Sequence, residues 1–135
     1  MRDGYTRKLA LPQEPSADFV SFQSCWQASV VVRSGQDSGV EYVLEKPQTT
    51  LGRGETAALR FDDPSMSSEH AALEFFGSGI RLRDLGSMNG TTLNGSDVKA
   101  AELKSGDRFA LGAHEFEFVL VARSRKPKTH DSPLC

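Results

Sequence analysis

Short runs of alternating apolar and polar residues fill the middle of the chain. Ile80-Arg81-Leu82-Arg83 sends Ile80 and Leu82 to one side and two arginines to the other, the period of two that a half-buried strand requires. Residues 114–121 repeat the pattern, with Phe116, Phe118 and Leu120 sharing one face and Glu115 and Glu117 pointing away. The Val-rich run 26–33 ends at Ser34-Gly35, and the run 40–44 closes at Lys46-Pro47. Thr49-Thr50-Leu51 ends at Gly52, and Leu59-Arg60-Phe61 stops at Asp62-Asp63-Pro64. In 70–76, Ala72, Glu74 and Phe76 lie opposite Ala71, Leu73 and Phe75, before a break at Gly77-Ser78-Gly79. Further strands are predicted over 98–103 and 109–111, on either side of a hairpin-like turn at Lys104-Ser105-Gly106-Asp107. No longer window carries a helical stripe. About 10–11 short strands at close spacing predict an all-β sandwich.

Composition narrows this reading. The chain has 135 residues, 38% hydrophobic and 25% charged, enough for one domain with a sizeable core. A formal net charge of −2 argues against a nucleic-acid binder, which usually carries a strong positive excess. The first residues lack the apolar core of a secretory signal, and Val30-Val31-Val32 is far too short to span a bilayer, so no membrane contact is expected. Cys25 and Cys135 read as two free thiols of a reduced, intracellular (cytoplasmic) protein. Asn89-Gly90-Thr91 and Asn94-Gly95-Ser96 match a glycosylation acceptor pattern, but read more simply as turns. Residues 1–24 are expected to form a flexible leader, 25–122 the sandwich, and 123–135 a basic flexible tail.

The chemistry concentrates in turns. The run from Asp84 to Gly95 holds two Asn-Gly pairs among small hydroxyl residues. With Gly52-Arg53 and Ser67-Ser68-Glu69-His70 upstream, it forms a set suited to an anion, here a phosphate on another protein. A phosphate dianion calls for a planar cation, hydroxyl or amide donors and open backbone N–H groups. Arg53, flanked by Gly52 and Gly54, is the candidate cation; alone it reads equally well as a surface arginine at a strand end. Ser67 and Ser68 offer hydroxyls, and Asn89 can both donate to and accept from a ligand's main chain. His70 opens an apolar strand and reads as a core histidine bonded to the Ser67 loop, while Asn94 reads as a turn former. Ser67, His70 and Asp84 or Asp107 supply the letters of a nucleophilic triad, but Ser67 lacks the Gly-x-Ser-x-Gly elbow. Gly52-Arg53-Gly54 lacks the Gly-Lys-Ser/Thr of a nucleotide loop. His70, His114 and His130 stand isolated, without metal-ligand spacing. Neither an enzyme, a metal site nor a cofactor is expected.

Taken together, Leu51-Gly52-Arg53, the run 63–71, the run 82–91, Leu93-Asn94-Gly95 and the run 103–112 resemble the forkhead-associated (FHA) domain family, over residues 27–121. The resemblance implies a β-sandwich of two mainly antiparallel sheets that reads phosphothreonine as a signalling adaptor. By that likeness Arg53 and Ser67 grip the phosphate, Ser68 assists, and Asn89 holds the peptide backbone; Gly52, His70 and Asn94 organise the loops. It implies as partner a phosphothreonine-containing protein, a Ser/Thr kinase or its substrate. Thr6 and Thr129 are candidate internal ligands. Ser68, where the family often has a basic or amide residue, and Met88, where a polar or basic one is frequent, make the pocket less electropositive. They leave open an alternative, a phosphate-independent scaffold domain in a larger assembly.

Overall fold

A computed structural model describes residues 17–123. Helix α1 (Ala17–Cys25) leads into β1 (Trp26–Val32), β2 (Glu41–Val43), β3 (Gln48–Gly52), β4 (Leu59–Arg60), β5 (Ala71–Phe76) and β6 (Gly79–Asp84). Then come β7 (Thr91–Leu93), β8 (Ser96–Asp97), β9 (Ala100–Glu102), β10 (Arg108–Leu111) and β11 (His114–Ala122). A six-stranded sheet runs β2-β1-β11-β10-β7-β8, and a five-stranded sheet runs β4-β3-β5-β6-β9. All pairings are antiparallel except β3 with β4. The expected all-β sandwich is therefore the fold.

Alternation explains how the two sheets meet. Val30 and Val32 of β1, Leu82 of β6, and Phe116 and Phe118 of β11 are all fully buried, alongside Leu51, Leu73 and Leu111. Burying each such side chain contributes about 1.5–3 kcal/mol. Phe61 stands edge-on to Phe116, ring centroids 5.1 Å apart, and Phe109 stacks on Phe116 at 5.2 Å. The outward arginines of β6 are not free in water. Arg81 and Arg83 both clasp Glu74 of β5, at 2.9 and 2.6 Å.

Three local features differ from the expectation. Residues 17–24, assigned to a flexible leader, are helical, because Phe19 and Phe22 pack on Phe75 with centroids 5.4 and 5.3 Å away. The run 98–103 holds one short strand, β9 (Ala100–Glu102), which pairs with β6, whereas β8 just before the run pairs with β7, so the chain changes sheet at Val98-Lys99. The turn at 104–107 therefore links strands of different sheets, and is closed by the Asp107 N–H donating to the Lys104 carbonyl (2.9 Å). Cys25 is disulfide-bonded rather than a free thiol, which removes the thiol argument for a reducing compartment. Residues 1–16 and 124–135, with Thr6, Thr129, Cys135 and the rest of the expected leader and tail, lie outside the described residues. Among the described residues no helix is long and apolar enough to cross a membrane.

Candidate functional site

The β3–β4, β4–β5 and β6–β7 loops meet at the end of β5 that begins with Ala71, the opposite end from α1. Their seam is backbone. The Arg53 N–H donates to the Ser67 carbonyl (2.9 Å) and the Gly54 N–H to the Ser68 carbonyl (3.0 Å). Gly52 is where the loops touch: a Cβ there would lie 2.0 Å from the Ser68 carbonyl oxygen. No left-handed backbone is involved at Gly52. Only the missing side chain lets the two loops approach this closely.

His70, fully buried, fastens the third loop. The Ser67 N–H donates to its Nδ1 (3.0 Å), so the ring proton sits on Nε2, which donates to the Gly90 carbonyl (2.8 Å). This is the core histidine the sequence pointed to. The Ser67 hydroxyl accepts from the Met88 N–H (3.0 Å), which leaves its own proton to donate outward. Asp84 braces the same loop from beneath. Its carboxylate accepts from the Gly86 and Ser87 N–H groups and from the Ser87 and Thr91 hydroxyls, at 2.6–3.2 Å. Burial alone would raise the Asp84 pKa. The Ser87 and Thr91 hydroxyls, with the two N–H groups, outweigh it and hold the value to about 2.

Arg53, one residue beyond β3, is exposed. Its Nε donates to the Met66 carbonyl (3.2 Å), and among the described residues no carboxylate forms an ion pair with it. The anchor at Nε leaves the two terminal nitrogens for a ligand. A second guanidinium lies close, since Arg60 Nε donates to the Arg53 carbonyl (3.0 Å). Ser68 is exposed beside this seam, and no described residue accepts its N–H. Asn89, also exposed, donates from Nδ2 to the Ser65 carbonyl (2.8 Å), keeping Oδ1 and one N–H available.

The structure thus brings Gly52, Arg53, Ser67, Ser68, His70 and Asn89 together on one rim. Asn94 is elsewhere. It turns the β7–β8 hairpin with φ of 50°, and its amide bonds to Asp107 (3.1 Å) and the Arg108 N–H (3.0 Å). The triad letters do not form a relay, because His70 meets the Ser67 backbone and Asp84 serves its own loop. Among the described residues no group of three or more His, Cys, Asp or Glu is placed to share a metal ion. Asp84, and Asp63, whose carboxylate accepts from the N–H and the hydroxyl of Ser65, are the brackets that sequence reasoning missed. Asp-x-Gly-Ser and Asp-x-Ser spacings, typical of side-chain-capped turns, were the available signal.

The family model described as "Inner membrane component of T3SS, cytoplasmic domain" matches residues 31–122. The glycogen accumulation regulator GarA of Mycolicibacterium smegmatis is 33% identical over 105 residues, covering 78% of this chain and 63% of that protein. The chain thus spans less than two thirds of that relative's length. A solved domain from a structural and functional analysis of phosphothreonine-dependent FHA domain interactions superposes with a TM-score of 0.64 at 31% identity. That match covers 69% of this chain and 95% of the other. The FhaA FHA domain, crystallised with the intracellular domain of Rv3910, gives 0.62 at 32% identity, covering 67% and 98%.

Proposed function

The chain belongs to the forkhead-associated domain family, and from that premise we propose that its rim is a phosphothreonine-dependent docking site, with the domain acting as a non-catalytic adaptor. The observation that carries this reading is the state of Arg53: exposed, its guanidinium held at Nε by the Met66 carbonyl and, among the described residues, without a carboxylate partner. A phosphate there meets the guanidinium, the Ser67 hydroxyl, and the hydroxyl and N–H of Ser68. Asn89, its amide oriented by the Ser65 carbonyl, holds the ligand's main chain just beyond the phosphothreonine. Gly52 and His70 keep the loops in register; Asn94 contributes to the neighbouring hairpin.

Charge-assisted hydrogen bonds contribute about 1.5–3 kcal/mol each. Three of them supply about 4.5–9 kcal/mol before the ordering cost of binding; less that cost, they fall short of the roughly 8 kcal/mol net of micromolar affinity, so the main-chain contacts at Asn89 must add to them. That scale suits a reversible contact with a Ser/Thr kinase or its substrate inside the cell. The relatives support the reading: one was characterised through phosphothreonine-dependent interactions, and FhaA's domain was crystallised with a protein partner. A phosphate-independent scaffold is the second reading, favoured by Met88, 86% exposed on the rim where a donor would help an anion. Calorimetry with one peptide in phosphorylated and unmodified forms separates the two. The adaptor predicts that only the phosphorylated form binds and that Arg53→Ala weakens it at least tenfold. Equal binding of both forms supports the scaffold.

A further inference from the structure

Resting on the reading that Asn89 holds a ligand's main chain, we infer that His114 and Asp63 are positioning residues for the Asn89 amide, acting through Ser65. The chain of contacts is continuous. Asn89 Nδ2 donates to the Ser65 carbonyl at 2.8 Å. A carbonyl only accepts, so this bond fixes which end of the amide is nitrogen and leaves Oδ1 facing outward. The place of that carbonyl is set by Asp63, whose Oδ1 accepts from both the N–H and the hydroxyl of Ser65, each at 2.8 Å. The other carboxylate oxygen, Oδ2, accepts from Nδ1 of His114 at 2.8 Å.

The relay joins β11, the β4–β5 loop and the β6–β7 loop. His114 is 8% exposed and lies against Phe61 and Phe116, with centroids 5.1 Å away in each case. Its Nε2 is buried without a partner among the described residues, so its hydrogen bonding is committed to Asp63. The turn before His114 presses on Ser65 as well. The Ala113 N–H donates to the Ser65 hydroxyl (2.8 Å), and a Cβ on Gly112 would lie 2.3 Å from the Ser65 carbonyl oxygen. The Asp63 pKa is lowered, first by the Ser65 N–H and then by His114, which keeps the carboxylate in its accepting form.

The test uses the whole chain, 15N-labelled, with His114→Phe and His114→Asn. Phenylalanine keeps an aromatic ring beside Phe61 and Phe116 but has no donor; asparagine restores an N–H near the Nδ1 position. In the unliganded protein His114→Phe is expected to shift the Asn89 side-chain amide resonances, and to weaken a phosphothreonine peptide about three- to tenfold. His114→Asn is expected to return both towards wild type. A folded His114→Phe variant with unchanged Asn89 resonances and affinity overturns the inference, as does failure of asparagine to rescue. Should His114→Phe not fold, Ser65→Ala takes its place: a shifted Asn89 amide supports the relay and an unshifted one sinks it. If wild type binds phosphorylated and unmodified peptides equally, the proposed function fails, while the unliganded Asn89 resonances still decide the positioning role.

Discussion

Replacing Gly52 by alanine adds one methyl group at the point where two loops of the rim touch. That carbon would stand 2.0 Å from the Ser68 carbonyl oxygen, 2.7 Å from its carbonyl carbon and 2.9 Å from the Ser67 carbonyl oxygen. Ordinary contact begins at 3.4 Å, so the backbones must separate by 3.4 − 2.0 = 1.4 Å. The obstacle is main chain, which has no rotamer to move out of the way. Such a separation breaks the bonds from Arg53 N–H to Ser67 and from Gly54 N–H to Ser68. Two lost hydrogen bonds and the accompanying overpacking cost about 2–4 kcal/mol. For a domain of this size that lowers Tm by roughly 10–30 °C. Thermal unfolding followed by circular dichroism reads the shift, and calorimetry on the surviving folded fraction reads the loss of peptide binding. A Gly52→Ala variant within about 2 °C of wild type in Tm, with unchanged affinity, would refute the argument that close approach of backbone builds the rim.

Two further outcomes follow from the carboxylates. Asp84→Ala leaves the Ser87 and Thr91 hydroxyls and two loop N–H groups without their acceptor, Thr91 being 2% exposed, and should destabilise the domain by about 2–4 kcal/mol in urea unfolding; a loss below about 0.5 kcal/mol would contradict the bracket role. Acid should act in the same direction. Glu74 is held at about 2 against an ordinary 4.5, first by its bonds to Arg83, then, against the opposing effect of burial, by Arg81 and Gln48; Asp84 is held at about 2 against 3.8. Both are depressed, so their stabilisation is present in full above the unfolded values and is lost as pH falls from about 4.5 towards 2, on the order of 2–3 kcal/mol each. A urea midpoint that does not fall over this interval would contradict the assignment.

The sandwich was legible wherever burial on one face imposes a strict period of two, as at Ile80 and Leu82 or Phe116 and Phe118. Helix α1 was not, since its attachment rests on Phe19 and Phe22, too few residues to write a stripe. Strand β7 (Thr91–Leu93) hid among turn residues, because pairing with β10 rather than its own composition makes it a strand. The crossing at Val98-Lys99 was equally hidden: the composition of 96–103 does not reveal that Ser96-Asp97 pairs in one sheet and Ala100–Glu102 in the other. Of the expected site, what the structure shows is placement: Arg53, Ser67, Ser68 and Asn89, singled out by residue type in turns, lie on one rim. Its supports were less legible. Asp84 acts through donors two to seven residues away, and His114 through a partner 51 positions upstream, at Asp63.

The most direct measurement is a pair of 15N NMR titrations of the whole chain, with one threonine peptide in phosphorylated and unmodified forms. The phosphorylated peptide should perturb the amides of Arg53, Ser67, Ser68 and Asn89 first and most strongly, and the unmodified peptide should leave them where they were. Equal perturbation by both peptides, or changes centred away from these four positions, would contradict a rim built to hold a phosphate.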